Sequence, residues 1–150
     1  ATAFENVAYG RLSASFEEVK KAAEAAFADE FIRQLPKGYA TVIGERGVTL
    51  SAGQRQRIII ARVLACDPKI LILDEATSAL DNESEARIQK VIESLKGKIT
   101  VLAIAHRLTT LRNSDKLVVL DGGNIIEQGS PAELLQEKAS YFYKMYNIRD

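Results

Sequence analysis

Apolar positions recur at helical spacing through Phe16, Val19, Ala23 and Phe27, directly behind Ser15 and Glu18. The S-x-x-E spacing is a capping box, so the pattern predicts a helix over about 16–28 with one apolar face. A short helix over about 29–35 should stop at Pro36-Lys37-Gly38, with 39–43 extended behind it. Ser51 and Gln54 form a second capping box, opening a helix over about 52–65. Beyond Pro68 the pattern changes. Residues 70–73 form an unbroken apolar run, too short for a helix core, and read as a fully buried strand of a parallel sheet. Asp81 or Asn82 then caps a helix to about Leu95, with Gly97 just past its end. A second apolar strand covers 100–105, followed by a short helix near 108–112. Strands at 116–121 and 124–128 flank Gly122-Gly123, a two-residue hairpin signal. Ser130, Pro131 and Glu133 supply cap, first-turn proline and capping box for another helix, and a last helix starts near Ser140.

The chain thus reads as mostly helical over 1–66 and as alternating strand and helix over 67–150, an α/β pattern with neither internal repeats nor low-complexity linkers. Its 150 residues bound it to about one domain, and 47% apolar residues suffice for a core of ordinary size. Twenty basic residues balance twenty acidic ones, so nothing points to a nucleic-acid partner held by bulk charge. Cys66 stands alone, which excludes an internal disulfide and fits a reducing compartment; it reads as a packing residue rather than a reactive thiol. No apolar run approaches the roughly 18 residues of a membrane span, and no signal peptide is visible. The expectation is a soluble chain whose link to a membrane, if any, comes through an attached or separate subunit.

Two segments change the picture from fold to chemistry. Asp74 and Glu75 sit at the C-terminal end of the apolar strand, the edge where open α/β sheets bind ligands. One carboxylate there can hold Mg²⁺ through water, and the next can orient and deprotonate an attacking water. A strand that merely ends in a polar turn fits the same residues. At Ser51, a hydroxyl, backbone N–H groups and a helix dipole converge to make an anion site, and Gly53 permits close approach to the backbone. An ordinary helix cap fits here too, and Arg55, Arg57 and Arg62 fit a solvated helix face.

The conjunction of the two is more specific. Leu50-Ser51-Ala52-Gly53-Gln54 resembles the LSGGQ signature of ATP-binding-cassette (ABC) ATPases, with Ala52 in place of the third residue's glycine. Residues 70–74 resemble Walker B, Glu75 the catalytic glutamate, Ser78-Ala79-Leu80-Asp81 the D-loop and His106 the switch histidine. The segment 4–10 resembles the stretch after the family's Q-loop. Gly44-Glu45-Arg46-Gly47 resembles the X-loop of ABC exporters, which touches transmembrane coupling helices, and residues 121–131 resemble the exporter C-terminal hairpin and helix. These flanks favour an exporter over a non-exporter ABC ATPase.

The resemblance implies a partial P-loop ATPase domain. Residues 1–66 would be the helical subdomain with X-loop and signature. Residues 67–150 would be the C-terminal part of the ATPase core, with Walker B, D-loop and switch histidine on part of a mainly parallel sheet with flanking helices. It implies ATP and Mg²⁺ as ligands, sandwiched between two nucleotide-binding domains in a homo- or heterodimer. Asp74 would hold Mg²⁺ through water; Glu75 would polarise the attacking water and His106 would contact the γ-phosphate. Ser51, Ala52, Gly53 and Gln54 would face the nucleotide of the opposing subunit, and Asp81 would connect the two sites. The other partner implied is an exporter's transmembrane domain, at the cytoplasmic side of the membrane.

The Walker A lysine, the adenine-stacking aromatic and the Q-loop glutamine have no counterpart in these residues; Gly97-Lys98 with Thr100 has the wrong spacing. The chain by itself is therefore expected to be inactive, which leaves a non-catalytic interaction module as the rival reading. In the family, the strand leading into Walker A lies between the strands at 100–105 and 116–121. Without it, either the sheet closes up or another segment fills the gap.

Overall fold

The computed structural model describes residues 1–44, 47–74, 80–104 and 108–148. Two compact units, Ala1–Ile104 and Ala105–Asp150, divide the chain.

The first unit opens with α1 (Ala3–Ala8), whose Thr2/Glu5 capping box was readable in the sequence as T-x-x-E but not anticipated. Helix α2 (Phe16–Ala25) carries the expected Ser15/Glu18 box, yet it ends earlier than its apolar spacing predicts. Phe27 takes a left-handed φ of 52°, and the Ala28 N–H reaches back to the Ala23 carbonyl at 2.7 Å. That is a Schellman-type stop, here without a glycine. The buried face is Val19, Ala22 and Ala23, while Phe16 is 48% exposed and packs with aromatics, 6.1 Å from Phe4 and 5.2 Å from Tyr39. Helix α3 (Asp29–Ile32) follows. The expected extended stretch 39–43 is instead a 3-10 turn over Gly38–Ala40, with only single bridges from Val42 to Thr2 and from Ile43 to Val48. Tyr39 explains the turn: its hydroxyl donates to the buried Asp29 carboxylate at 2.8 Å. Burial, then that carboxylate, pushes the phenol's pKa up.

Helix α4 (Ala52–Leu64) is the spine of the unit and contacts α1, α2 and the helix α5 (Asn82–Leu95). Strand β1 (Ile70–Asp74) pairs in parallel with β2 (Thr100–Ile104), Ile70 opposite Thr100 and Asp74 opposite Ile104, with α5 as the crossover. The fully buried strand predicted at 70–73 is only half buried. Leu71 and Leu73 join Ile88, Val91 and Leu95 of α5 in the core, whereas Ile70 is 61% and Ile72 64% exposed. The physical reason is that the described helices of this unit cover one face of the two-stranded sheet, leaving Ile70, Ile72, Leu102 and Ile104 on the other.

The second unit contains α6 (Leu108–Arg112) and an antiparallel hairpin of β3 (Leu117–Asp121) and β4 (Asn124–Gly129). Gly122 and Gly123 take φ of 53° and 79°, the left-handed pair that a two-residue hairpin turn needs. Helices α7 (Pro131–Leu134) and α8 (Tyr141–Ile148) follow, around a small core of Leu117, Leu134 and Phe142. Of the two outcomes expected for the sheet, closing-up is not seen among the described residues: β2 pairs with β1 and β3 pairs with β4, in two two-stranded sheets. No helix among the described residues is long and apolar enough to cross a membrane.

Candidate functional site

Two helix starts define the site. At α4, Ser51 Oγ accepts the Gln54 N–H at 3.2 Å, and Gln54 Oε1 accepts the Ser51 N–H at 2.9 Å, as the capping-box spacing requires. The N–H groups of Ala52 and Gly53 precede the first intrahelical bond, so they remain available to a ligand. Ser51 and Ala52 are exposed, Gln54 is half-buried and Gly53 is buried. At α5, Asp81 is the cap, accepting the Ser84 N–H at 2.9 Å and the Ser84 hydroxyl at 2.8 Å. These bonds, the backbone one foremost, hold the Asp81 carboxyl below the usual carboxylate range.

Ser51, Gln54 and Asp81 line one groove of about 370 Å³, together with Ser84, Arg57, Arg87, Glu30 and Glu83. Two cations therefore face three carboxylates, so the groove is not a basic pocket. Arg87 is already engaged, 2.9 Å from Glu30 and 3.1 Å from Glu83, and its bond with Glu83 foremost raises its pKa. Arg57 is 6% exposed. Its Nη1 donates to the Phe27 carbonyl at 2.6 Å, its Nε to the Gly53 carbonyl at 3.4 Å, and its guanidinium stacks 4.8 Å over Phe31. Burial foremost, then the charge of Arg87, lowers its pKa. Attraction for an anion at this groove must come from the open first turn of α4 and its dipole rather than from bulk positive charge.

Of the three signature-segment arginines only Arg55 is exposed as a solvated face would have it; Arg57 and Arg62 turn inward. Arg57 is buried, Arg62 donates to the Asn6 carbonyl at 2.7 Å and to its Oδ1 at 3.2 Å, and Arg55 donates to the Leu50 carbonyl. Arg57 was legible as an inward residue, because it shares the stripe of Gly53, Ile60 and Ala61, which are also buried. The Arg87–Glu30 pair and the Ser84–Gly53 contact carried no such signal, since each joins residues far apart along the chain.

Asp74 ends β1 with its side chain exposed. Among the described residues no group of three or more His, Cys, Asp or Glu side chains lies close enough to hold a metal ion. One exposed carboxylate fits a hydrated Mg²⁺ shared with phosphates and does not fit a protein cage. Leu80 is half-buried against the core. Gly44 takes a φ of 105°, and its carbonyl accepts the Gly47 N–H at 3.0 Å, so the two glycines that bound the predicted X-loop are hydrogen-bonded to each other. Glu45, Arg46, Glu75, Ser78, Ala79 and His106 lie outside the described residues. Cys66 is exposed, and its thiol donates to the Gly10 carbonyl at 3.1 Å.

Against this geometry the comparisons with known proteins agree with one another. The family model described as ABC transporter matches residues 1–78. An ATP-dependent lipid A-core flippase of Legionella pneumophila (strain Lens) is 53% identical over 144 residues, 96% of this chain and 24% of the flippase. The heterocyst differentiation ATP-binding protein HepA of Nostoc sp. is 54% identical over 134 residues, 89% of this chain and 22% of that protein. Among solved structures, a bacterial Atm1-family ABC exporter with ATP bound matches with a TM-score of 0.84 and 44% identity, over 99% of this chain and 26% of that one. The chain thus spans about a quarter of the length of the relatives it matches.

Proposed function

The chain belongs to the ABC transporter family, and from that premise we propose that it forms part of the ATP-binding and ATP-hydrolysing subunit of an ABC exporter. The observation that carries the reading is the single groove shared by Ser51, Gln54 and Asp81, residues from two segments 30 positions apart. Read in this way, 1–66 supplies the helical subdomain with the signature and 67–150 the C-terminal part of the ATPase core. The partners are a second nucleotide-binding domain and a transmembrane domain, at the cytoplasmic face of the membrane.

In this reading the chain's residues work mainly by positioning and charge stabilisation. Ser51 and the free N–H groups of Ala52 and Gly53 face the γ-phosphate held by the opposing domain. Gln54 holds Ser51 in place through the reciprocal capping bonds. Asp74 binds hydrated Mg²⁺, which when bound neutralises charge developing on the phosphates. Glu75 accepts the proton of the attacking water, and His106 donates to the γ-phosphate. Asp81 links the two sites across the dimer, with Ser78, Ala79 and Leu80 as the rest of the D-loop. Gly44, Glu45, Arg46 and Gly47 form the contact to the transmembrane part. The domain closes because nucleotide binds the closed sandwich better than the open one, and closure drives the membrane part.

The test is Glu75→Gln in the full-length protein that carries this chain. The expected result is retained ATP binding with turnover reduced by at least about a hundredfold, the scale of a lost general base. Near-unchanged turnover would remove the assignment.

A further inference from the structure

Gly53 and Ser84 meet with no spare room. A Cβ placed on Gly53 would lie 2.3 Å from Ser84 Oγ and 2.5 Å from Ser84 Cβ. The glycine thus serves a close approach within the chain, α4 against α5, in addition to the ligand approach its place in the signature suggests. Ser84 is itself fixed, since Asp81 accepts both its N–H and its hydroxyl. Gly53 is fixed from its other side, where its carbonyl accepts from the buried Arg57. Arg57, Gly53, Ser84 and Asp81 therefore form a continuous series of contacts. It runs from the interior of the helical segment to an exposed carboxylate, and Ser84 stands between Gly53 and Asp81.

We propose that Ser84 is a positioning residue for the ATP chemistry, locking the first turn of α4 to Asp81 so that displacement of either is transmitted to the other. The inference rests on reading 51–54 and Asp81 as nucleotide- and dimer-facing groups. A donor from outside that draws on the Asp81 carboxylate weakens its hold on the Ser84 hydroxyl, because the two share one acceptor group. Loss of that bond frees the side chain that presses on Gly53. Ser84 would in this way let the opposing domain's arrival at Asp81 register at the turn that receives the phosphate. Misplacements on the ångström scale at such a turn are enough to change rates by orders of magnitude.

The experiment is a double-mutant cycle in the full-length protein, reading kcat and KM for ATP and the melting midpoint for Gly53→Ala, Ser84→Gly and the pair. Gly53→Ala is expected to lower kcat by at least about tenfold while moving KM by less than about threefold. In the Ser84→Gly background, where room for the new methyl exists, Gly53→Ala should cost less than about twofold further. An equal cost in both backgrounds would overturn the proposal, because Gly53 would then be needed only for direct ligand approach. Ser84→Ala keeps the contact and deletes the hydroxyl bond to Asp81. It should lower kcat by about threefold or more with KM unmoved, and wild-type kcat in this variant would refute the link to Asp81. A parent protein without ATP turnover would sink the exporter reading. The melting midpoints of the same cycle would then still decide the contact: recovery in the pair supports it, and additivity overturns it.

Discussion

Arg57→Met tests whether the helical segment is held together by one buried guanidinium. Methionine reaches about as far as the Arg57 Nε, so the stem's packing survives and the guanidinium is deleted. The Phe27 carbonyl then loses the donor that sits 2.6 Å away at the stop of α2. A buried acceptor left unpaired costs about 1–3 kcal/mol. The stacking over Phe31 at 4.8 Å adds about 0.5–2 kcal/mol to the loss. Against this, methionine removes a charge that burial disfavours, the same burial that lowers the guanidinium's pKa. Weighing these terms gives a net destabilisation of about 2 kcal/mol, or a midpoint fall of about 4–8 °C for a chain of this size. Urea unfolding followed by far-ultraviolet circular dichroism is the assay, as the chain contains no tryptophan. Arg11→Met is the control. Arg11 pairs with Glu18 at 3.0 Å on the surface, and such pairs contribute about 0–1 kcal/mol. An Arg57→Met change below about 0.5 kcal/mol, or one equal to the control, would refute the reasoning.

Two further outcomes follow from close contacts and from the caps. Gly10→Ala should destabilise by about 1–3 kcal/mol, because its methyl would meet the Arg62 carbonyl oxygen at 2.5 Å and Cys66 Sγ at 2.7 Å; Cys66→Ala should relieve only the sulfur part, and thermal midpoints of the single and double variants check this. Glu5, Glu18, Asp81 and Glu133 all have carboxyl pKa values lowered, first by the capped residue's or cap's backbone N–H bond. Their stabilisation is therefore complete above the usual carboxylate values of 3.8 to 4.5 and is lost as pH falls through the lowered ones. Urea midpoints measured from about pH 6 down to about pH 3 should fall, and Glu18→Gln should flatten part of that fall; an unchanged profile in Glu18→Gln would contradict the assignment.

The elements that were legible in the sequence are those whose causes are local. Ser15/Glu18, Ser51/Gln54 and Ser130/Glu133 each state where a helix begins, and each does so in the structure. Gly122-Gly123 states a turn through the φ values that glycine alone adopts cheaply. The failures are all matters of what lies opposite. Phe27 continues the apolar spacing of α2, but its carbonyl answers Arg57, thirty residues on, and the helix stops short. Ile70 and Ile72 look like core residues because their run is apolar; whether both faces of a strand are covered is not written in the strand. Tyr39 leaves its expected extended path for a bond to Asp29. At the site, the sequence offered Ser51 as one helix cap and Asp81 or Asn82 as the other; the structure selects Asp81 and brings it to one groove with Ser51. The roles of Glu75, His106, Ser78 and Ala79 rest on their order in the sequence and on the family.

The start of α8 is stated fourteen residues before α8 begins. Glu127, on β4, accepts the Tyr141 N–H at 2.9 Å, the Phe142 N–H at 3.0 Å and the Ser140 hydroxyl at 3.2 Å. One strand carboxylate thus satisfies two of the helix's first-turn donors. During synthesis the hairpin leaves the ribosome first and closes over a two-residue turn, on a timescale of microseconds. Helix α8 arrives later and finds its anchor already in place. A chain that loses the hairpin's register would lose the helix's beginning with it, so an error in β4 would be read out at α8.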